Sequence, residues 1–218
     1  MIFINRLSAW APGIEGSEQW NEWAQGKREI QFSSKGPDLS FTEPMFRRRL
    51  SQISKMTIQV AHDLSLTEDA KIFFFSFRGE LSRIFQINKM LIEENEVSPA
   101  AFSLSVFNAP AALASMAAGL KGGYSCIYPG NNSFSQSLTI AKAALLGSNA
   151  EKIVYIYADE EIPEEYKSFF KSPPYAVSFG LVLSKNEDEK TAFPLPEENE
   201  SPYLFLKNII KGGLCVSS

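Results

Sequence analysis

The stretch from Ser103 to Gly147, SLSVFNAPAALASMAAGLKGGYSCIYPGNNSFSQSLTIAKAALLG, constrains the fold of this chain more than any other. It reads as two helices of small and apolar residues flanking a short strand, Tyr124 to Tyr128. A helix with no charge on any face, such as Ala109 to Ala118, is expected to be buried all round. The strand runs into a sharp Pro129-Gly130-Asn131-Asn132 corner. Many acyl-transfer enzymes hold a nucleophile at a strand-to-helix turn of this kind. Here the apex carries Pro, Gly and Asn, with no Cys, Ser or Thr.

Across 218 residues, 44% are apolar, enough to bury a core as one domain over residues 1–218. Within it, residues 186–218 are expected to form a peripheral acidic loop and a C-terminal helix. A net charge of -4 without a long basic cluster argues against nucleic acid as the main partner. No apolar run approaches the ~18 residues of a membrane span, so no membrane insertion is expected. The N-terminal MIFINRLSAWAPG has no basic leader and reads as a strand. With Cys126 and Cys215 as the only cysteines, no disulfide framework is indicated and a cytoplasmic location is expected. No metal and no cofactor is expected.

Taken in order, Ile2 to Trp10 reads as a strand and Ser17 to Ala24 as a short helix capped by Ser17, with Trp20 and Trp23 on one face. A loop to Leu39 follows, then one helix from Glu43 to about Leu64 with Pro44 in its first turn. Lys71 to Phe77 reads as a strand covered on both faces. Arg78-Gly79-Glu80 opens a helix with Leu81, Ile84, Phe85, Leu91 and Ile92 on one side. Phe102 to Phe107 reads as extended, with Asn108 placed to cap the helix that follows. Ser133 to Leu146 reads as a helix, Lys152 to Ala158 and Tyr175 to Leu183 as strands, and Tyr203 to Ile210 as a helix. Strands alternating with helices give an α/β domain of at least five strands, with apolar helices sandwiched in the middle.

Few residues suggest chemistry by type. His62 is the one histidine; it borders an apolar stripe and reads as a surface residue. Glu80 reads as a charge complementing a helix dipole. Arg47-Arg48-Arg49 is the densest positive run, either a solvated helix face or a docking point for an acidic partner.

Four segments carry a resemblance. They are Phe46-Arg47-Arg48-Arg49-Leu50-Ser51, Ser76-Phe77-Arg78-Gly79-Glu80, Ser98-Pro99-Ala100-Ala101-Phe102-Ser103-Leu104-Ser105-Val106-Phe107-Asn108-Ala109, and Tyr155 to Pro163. These, and the order of elements over roughly residues 1 to 185, resemble the N-terminal half of β-ketoacyl synthases. The match is strongest to short synthase-like proteins of aryl polyene and type II polyketide systems. The resemblance implies a thiolase-like layered fold, N-terminal half only, with a mixed sheet and buried helices. In that family the corner cysteine accepts the acyl chain; its position here falls at or beside Gly130, between Pro129 and Asn131. Cys126 lies inside the strand and reads as a buried small residue. The two catalytic histidines of the family lie in a C-terminal half, beyond where this chain stops.

The resemblance therefore implies a catalytically silent homologue, in the manner of a chain-length factor, paired with an active ketosynthase. The family's pairing strand would be Gly123-Tyr124-Ser125-Cys126-Ile127, and Phe107, Met116 and Phe134 would border the partner's acyl tunnel or else fill the core. An acyl carrier protein, being acidic, would dock on Arg47, Arg48 and Arg49. Two alternatives stay open: an acyl hydrolase or transferase using Ser125 or Ser133, and a carrier-binding scaffold with no synthase partner.

Overall fold

The computed structural model describes residues 1–128, 134–169, 175–186, 193–196 and 201–217. In chain order, β1 (Phe3–Trp10) leads to α1 (Gly16–Ala24), α2 (Pro44–Arg47) and α3 (Gln52–Asp63). Then come β2 (Ile72–Phe75), α4 (Leu81–Glu94), α5 (Pro99–Ser103), α6 (Ala109–Ala117) and β3 (Tyr124–Ile127). The rest is α7 (Phe134–Leu146), β4 (Lys152–Asp159), a 3-10 turn at Glu164–Phe169, β5 (Val177–Ser184), β6 (Phe193–Pro194), α8 (Pro202–Lys211) and β7 (Val216–Ser217).

Among the described residues the strands form one mixed sheet in the order β3-β2-β4-β5-β1-β6, with β7 also on β1. β2 runs parallel to β3 and β4, whereas β5 is antiparallel to β4 and β1. Apolar residues alternate between the faces because successive strand side chains point opposite ways. Phe73, Phe75, Tyr155, Tyr157 and Phe179 pack under α1, α7 and α8. Ile72, Phe74, Val154, Ile156 and Val182 pack under α3 and α6. α3 sits close on β5 because Gly180 has no side chain: a Cβ there would lie 2.8 Å from Leu64 Cδ1. The sheet, and not a helix layer, is therefore the middle of three layers.

Several elements differ from the sequence reading. The helix expected over 43–64 is two, because Ser51 starts a new one: its hydroxyl accepts from the Ser54 amide at 3.2 Å. Helix α1 begins at Gly16 with Glu15 at its N-cap, ahead of Ser17. Phe102 to Phe107 is not extended; Ser98 caps α5 through the Ala101 amide, with Pro99 in the first turn. Asn108 precedes α6 without a side-chain capping bond. On α4 the stripe expected to be buried is largely exposed, and Ile87 is the one buried residue. Helix α6 buries Ala109, Pro110, Ala111, Ala114 and Ser115 but leaves Met116 and Ala117 outside, so it is covered on one face only.

The C-terminal segment is better integrated than the peripheral role read for it. Tyr203, Phe205, Leu206, Ile209 and Ile210 of α8 are buried in the core. β6 pairs with Phe3 and Ile4, and β7 with Leu7 and Ser8, so both lie along the outer edge of β1.

Candidate functional site

β3 ends the sheet at the other side, with β2 as its neighbour among the described residues. The Ile72 amide donates to the Gly123 carbonyl at 3.1 Å, and Ile72 sits opposite Tyr124 in the parallel register. In a parallel ladder alternate residues bond to alternate sides. The backbone groups of Ser125 thus face β2, and those of Tyr124 and Cys126 face the open edge. The residue after β3 and the helix packed on it carry exposed apolar side chains: Tyr128 is 75% exposed and Met116 of α6 71%. The Asn108 amide donates to the Tyr124 hydroxyl at 3.2 Å, tying the start of α6 to this strand.

A second constellation lies at the C-terminal ends of β2 and β4. Asp159 Oδ1 accepts from the Ser76 hydroxyl at 2.6 Å and from the Phe77 and Arg78 amides at 3.0 and 3.1 Å. Its Oδ2 accepts from the Tyr157 hydroxyl at 2.8 Å and lies 3.3 Å from Arg78 Nε. The Arg78 guanidinium also donates to the Glu160 carbonyl at 2.7 Å. Arg78 and Asp159 side chains are fully enclosed, so this ion pair is held by hydrogen bonds away from water. Burial pushes the Tyr157 phenol well up, which keeps it a donor to Asp159.

Next to this joint, Glu80 accepts from the Ser51 and Ser54 hydroxyls at 2.7 and 2.9 Å and from Arg83 Nε at 3.0 Å. Glu160 accepts from the Ser82 amide at 2.7 Å. Burial, then the neighbouring Glu80 charge, pushes the Glu160 carboxyl up to about 7. Both carboxylates adjoin a cleft of about 630 Å³ that Ser51, Ser82, Arg83 and Glu160 help to line. A carboxyl poised near neutrality could move a proton. The two serines nearest it are engaged: the Ser82 hydroxyl donates to the Glu161 carbonyl at 3.2 Å and the Ser51 hydroxyl to Glu80.

The corner Pro129, Gly130, Asn131 and the residue Ser133 lie outside the described residues. Cys126 is half-buried against the α3–α6 side of the core, and burial pushes its thiol up to about 11, away from the thiolate a nucleophile needs. His62 is exposed as expected; its ring stacks on Phe41 at 3.7 Å, with Asp63 Oδ1 at 3.3 Å. No hydrogen bond links it to Ser125 among the described residues. The three tunnel candidates do not converge. Phe134 is completely buried among Tyr155, Tyr157, Phe179 and Phe205, on the face of the sheet opposite Phe107. Phe107 is half-buried with its ring centroid 5.2 Å from that of Tyr128, and Met116 is exposed.

Arg47 is drawn inward, donating to the Leu39 carbonyl at 2.9 Å, while Arg48 and Arg49 stay exposed. Sequence reasoning missed Arg78, Asp159 and Glu160, and took Glu80 for a simple helix-start charge. The signal was present: Asp159-Glu160 directly follows an apolar strand, where solvated carboxylates are out of place.

A mixed sheet of this order, with helices on both faces and a parallel strand at an open edge, is that of a thiolase-like half-domain. The family model for the β-ketoacyl synthase N-terminal domain matches residues 20–202, and the chain belongs to that family. Among solved structures it is similar to a chain of the ketosynthase ApeO in complex with its chain length factor ApeC from Xenorhabdus doucetiae, with TM-score 0.78 and 24% identity over 97% of this chain and 92% of that one. It is also similar to the ishigamide ketosynthase/chain length factor, with TM-score 0.70 and 14% identity over 87% of this chain and 63% of that one. A third is the type II polyketide complex AntDE:AntF, an acyl-carrier protein with its ketosynthase, with TM-score 0.67 and 15% identity over 84% of this chain and 62% of that one. The latter two are thus spanned over less than two thirds of their length. No curated protein matches the chain.

Proposed function

We propose that this chain is a non-catalytic, chain-length-factor type subunit that forms a heterodimer with an active β-ketoacyl synthase. The observation that carries this reading is the open edge of β3, where the backbone groups of Tyr124 and Cys126 have no strand partner among the described residues and Tyr128 stands exposed. An antiparallel strand from a partner would satisfy those groups and cover Tyr128 together. Two of the similar structures are of a ketosynthase with its chain length factor, which supports the same reading. The sequence holds one histidine, exposed on α3, and its cysteines are Cys126 and Cys215. Condensation of acyl thioesters needs an activated nucleophile with its partners in one constellation.

In this role Met116 and Phe107 border the partner's acyl tunnel, while Phe134 fills the core on the other face of the sheet. Aryl polyene, type II polyketide or fatty-acid-like synthesis is the setting we infer, in the cytoplasm, with an acyl carrier protein docking on Arg48 and Arg49. Among the described residues no helix is long and apolar enough to cross a membrane.

Co-expression with an active ketosynthase from the same organism, followed by size-exclusion chromatography, is the test. A joint peak at heterodimer size, with elongation that depends on this chain, is expected. Separate elution together with full elongation by the synthase alone would sink the proposal.

A further inference from the structure

A different cleft lies between residues 34–39 and the region where α2 passes into α3. It encloses about 630 Å³, and Lys35, Arg47, Arg48 and Lys55 line it against a single acid, Asp38. Arg47 is occupied, bonding the Leu39 carbonyl and lying 3.9 Å from Asp38, whose side chain is 88% exposed. Lys35, Arg48 and Lys55 take part in none of the ion pairs among the described residues. Such a gathering runs against the overall charge of -4.

The cleft is built and not a chance of flexible side chains. Gly36 lies so close to α3 that a Cβ there would come within 2.9 Å of Lys55 Cβ. The Gln52 amide donates to the Ser33 and Lys35 carbonyls, pinning the loop to α3. Pro44 adds an exposed apolar edge, over the buried Pro37 and Leu39. Its volume lies in the range of roughly 300–1,000 Å³ usual for small-ligand sites, more than an inorganic anion fills.

We propose that this cleft binds a small organic phosphate, its anion held by Lys35, Arg48 and Lys55 and its organic part against Pro44. Guanidinium and ammonium donors form short, charge-assisted bonds to phosphate oxygens, and the apolar edge distinguishes an ester from free phosphate. Binding of this kind needs no synthase partner, so its failure and that of heterodimer formation are separable.

The test is calorimetric titration of the chain alone with phenyl phosphate, and separately with inorganic phosphate, at ionic strength fixed with chloride. Saturable 1:1 binding is expected for phenyl phosphate, tighter than for inorganic phosphate, and weakened about tenfold or more in both Arg48→Gln and Lys55→Gln. No saturable binding, or equal affinity in both variants, overturns the proposal. Should Lys55→Gln fail to fold, Arg48→Gln, at an exposed position, decides alone.

Discussion

The Glu160 carboxylate caps α4 by accepting from the Ser82 amide at 2.7 Å across 78 residues of sequence. It thereby joins the end of β4 to the start of α4 in a place where Glu80 adds a like charge. A carboxyl raised from 4.5 to about 7 binds its proton more tightly folded than unfolded. Its contribution is therefore full below pH 4.5 and is lost as pH rises through 7, by roughly 3 kcal/mol in all. Glu160→Gln keeps an acceptor for Ser82 without the charge. Thermal melts should show the variant matching the parent near pH 4.5 and exceeding it at pH 8; a parallel pair of pH profiles would contradict this.

Asp159→Asn should behave in the opposite sense. It leaves Arg78 enclosed without its counter-charge, and breaking one partner of a buried pair costs about 3–5 kcal/mol. Urea unfolding at pH 7 measures that loss. The exposed pair Lys121 and Glu68 supplies the control, because a screened surface bridge contributes under ~1 kcal/mol.

Cys126→Pro removes a backbone N–H that points to the open edge and is not used by β2. The variant is expected to keep its circular dichroism spectrum while losing the heterodimer peak. If the complex forms undiminished, β3 is not the pairing edge.

The tunnel candidates separate by the same logic. Phe134→Ala should cost about 3–5 kcal/mol in stability, as for a large buried ring. Met116→Ala should leave the melting temperature unchanged and alter product length in the assembled complex. Equal stability losses would mean that Met116 is a core residue.

Asn5 tests the core itself. It is 2% exposed at the irregularity in β1, and neither amide atom has a hydrogen-bond partner among the described residues. A buried unsatisfied amide costs about 1–3 kcal/mol, so Asn5→Leu should raise stability by about 1–2 kcal/mol in urea titration.

Strong periodic signals in the sequence translated directly into structure: the apolar runs around Phe74, Ile156 and Phe179 are all strands. Local capping chemistry did not. Ser51 and Ser98 each start a helix that the apolar pattern alone does not announce, because a hydroxyl on an amide outweighs periodicity over one turn. The half-exposure of α6 was illegible for another reason. Its composition says apolar, but whether Met116 meets protein or water depends on β3 having no neighbour beyond it. Contacts that join Arg78 to Asp159 across 81 residues are likewise products of topology. The acceptor corner at Gly130 was read from the family pattern and lies outside the described residues.

Because the far margin of β1 is taken by the two-residue strands β6 and β7, the longer open edge among the described residues is that of β3. Two sheets joined through their β3 strands would end in these two-residue margins, too short to template a third chain. Growth then stops at two chains instead of continuing into a fibre, whichever protein supplies the second strand.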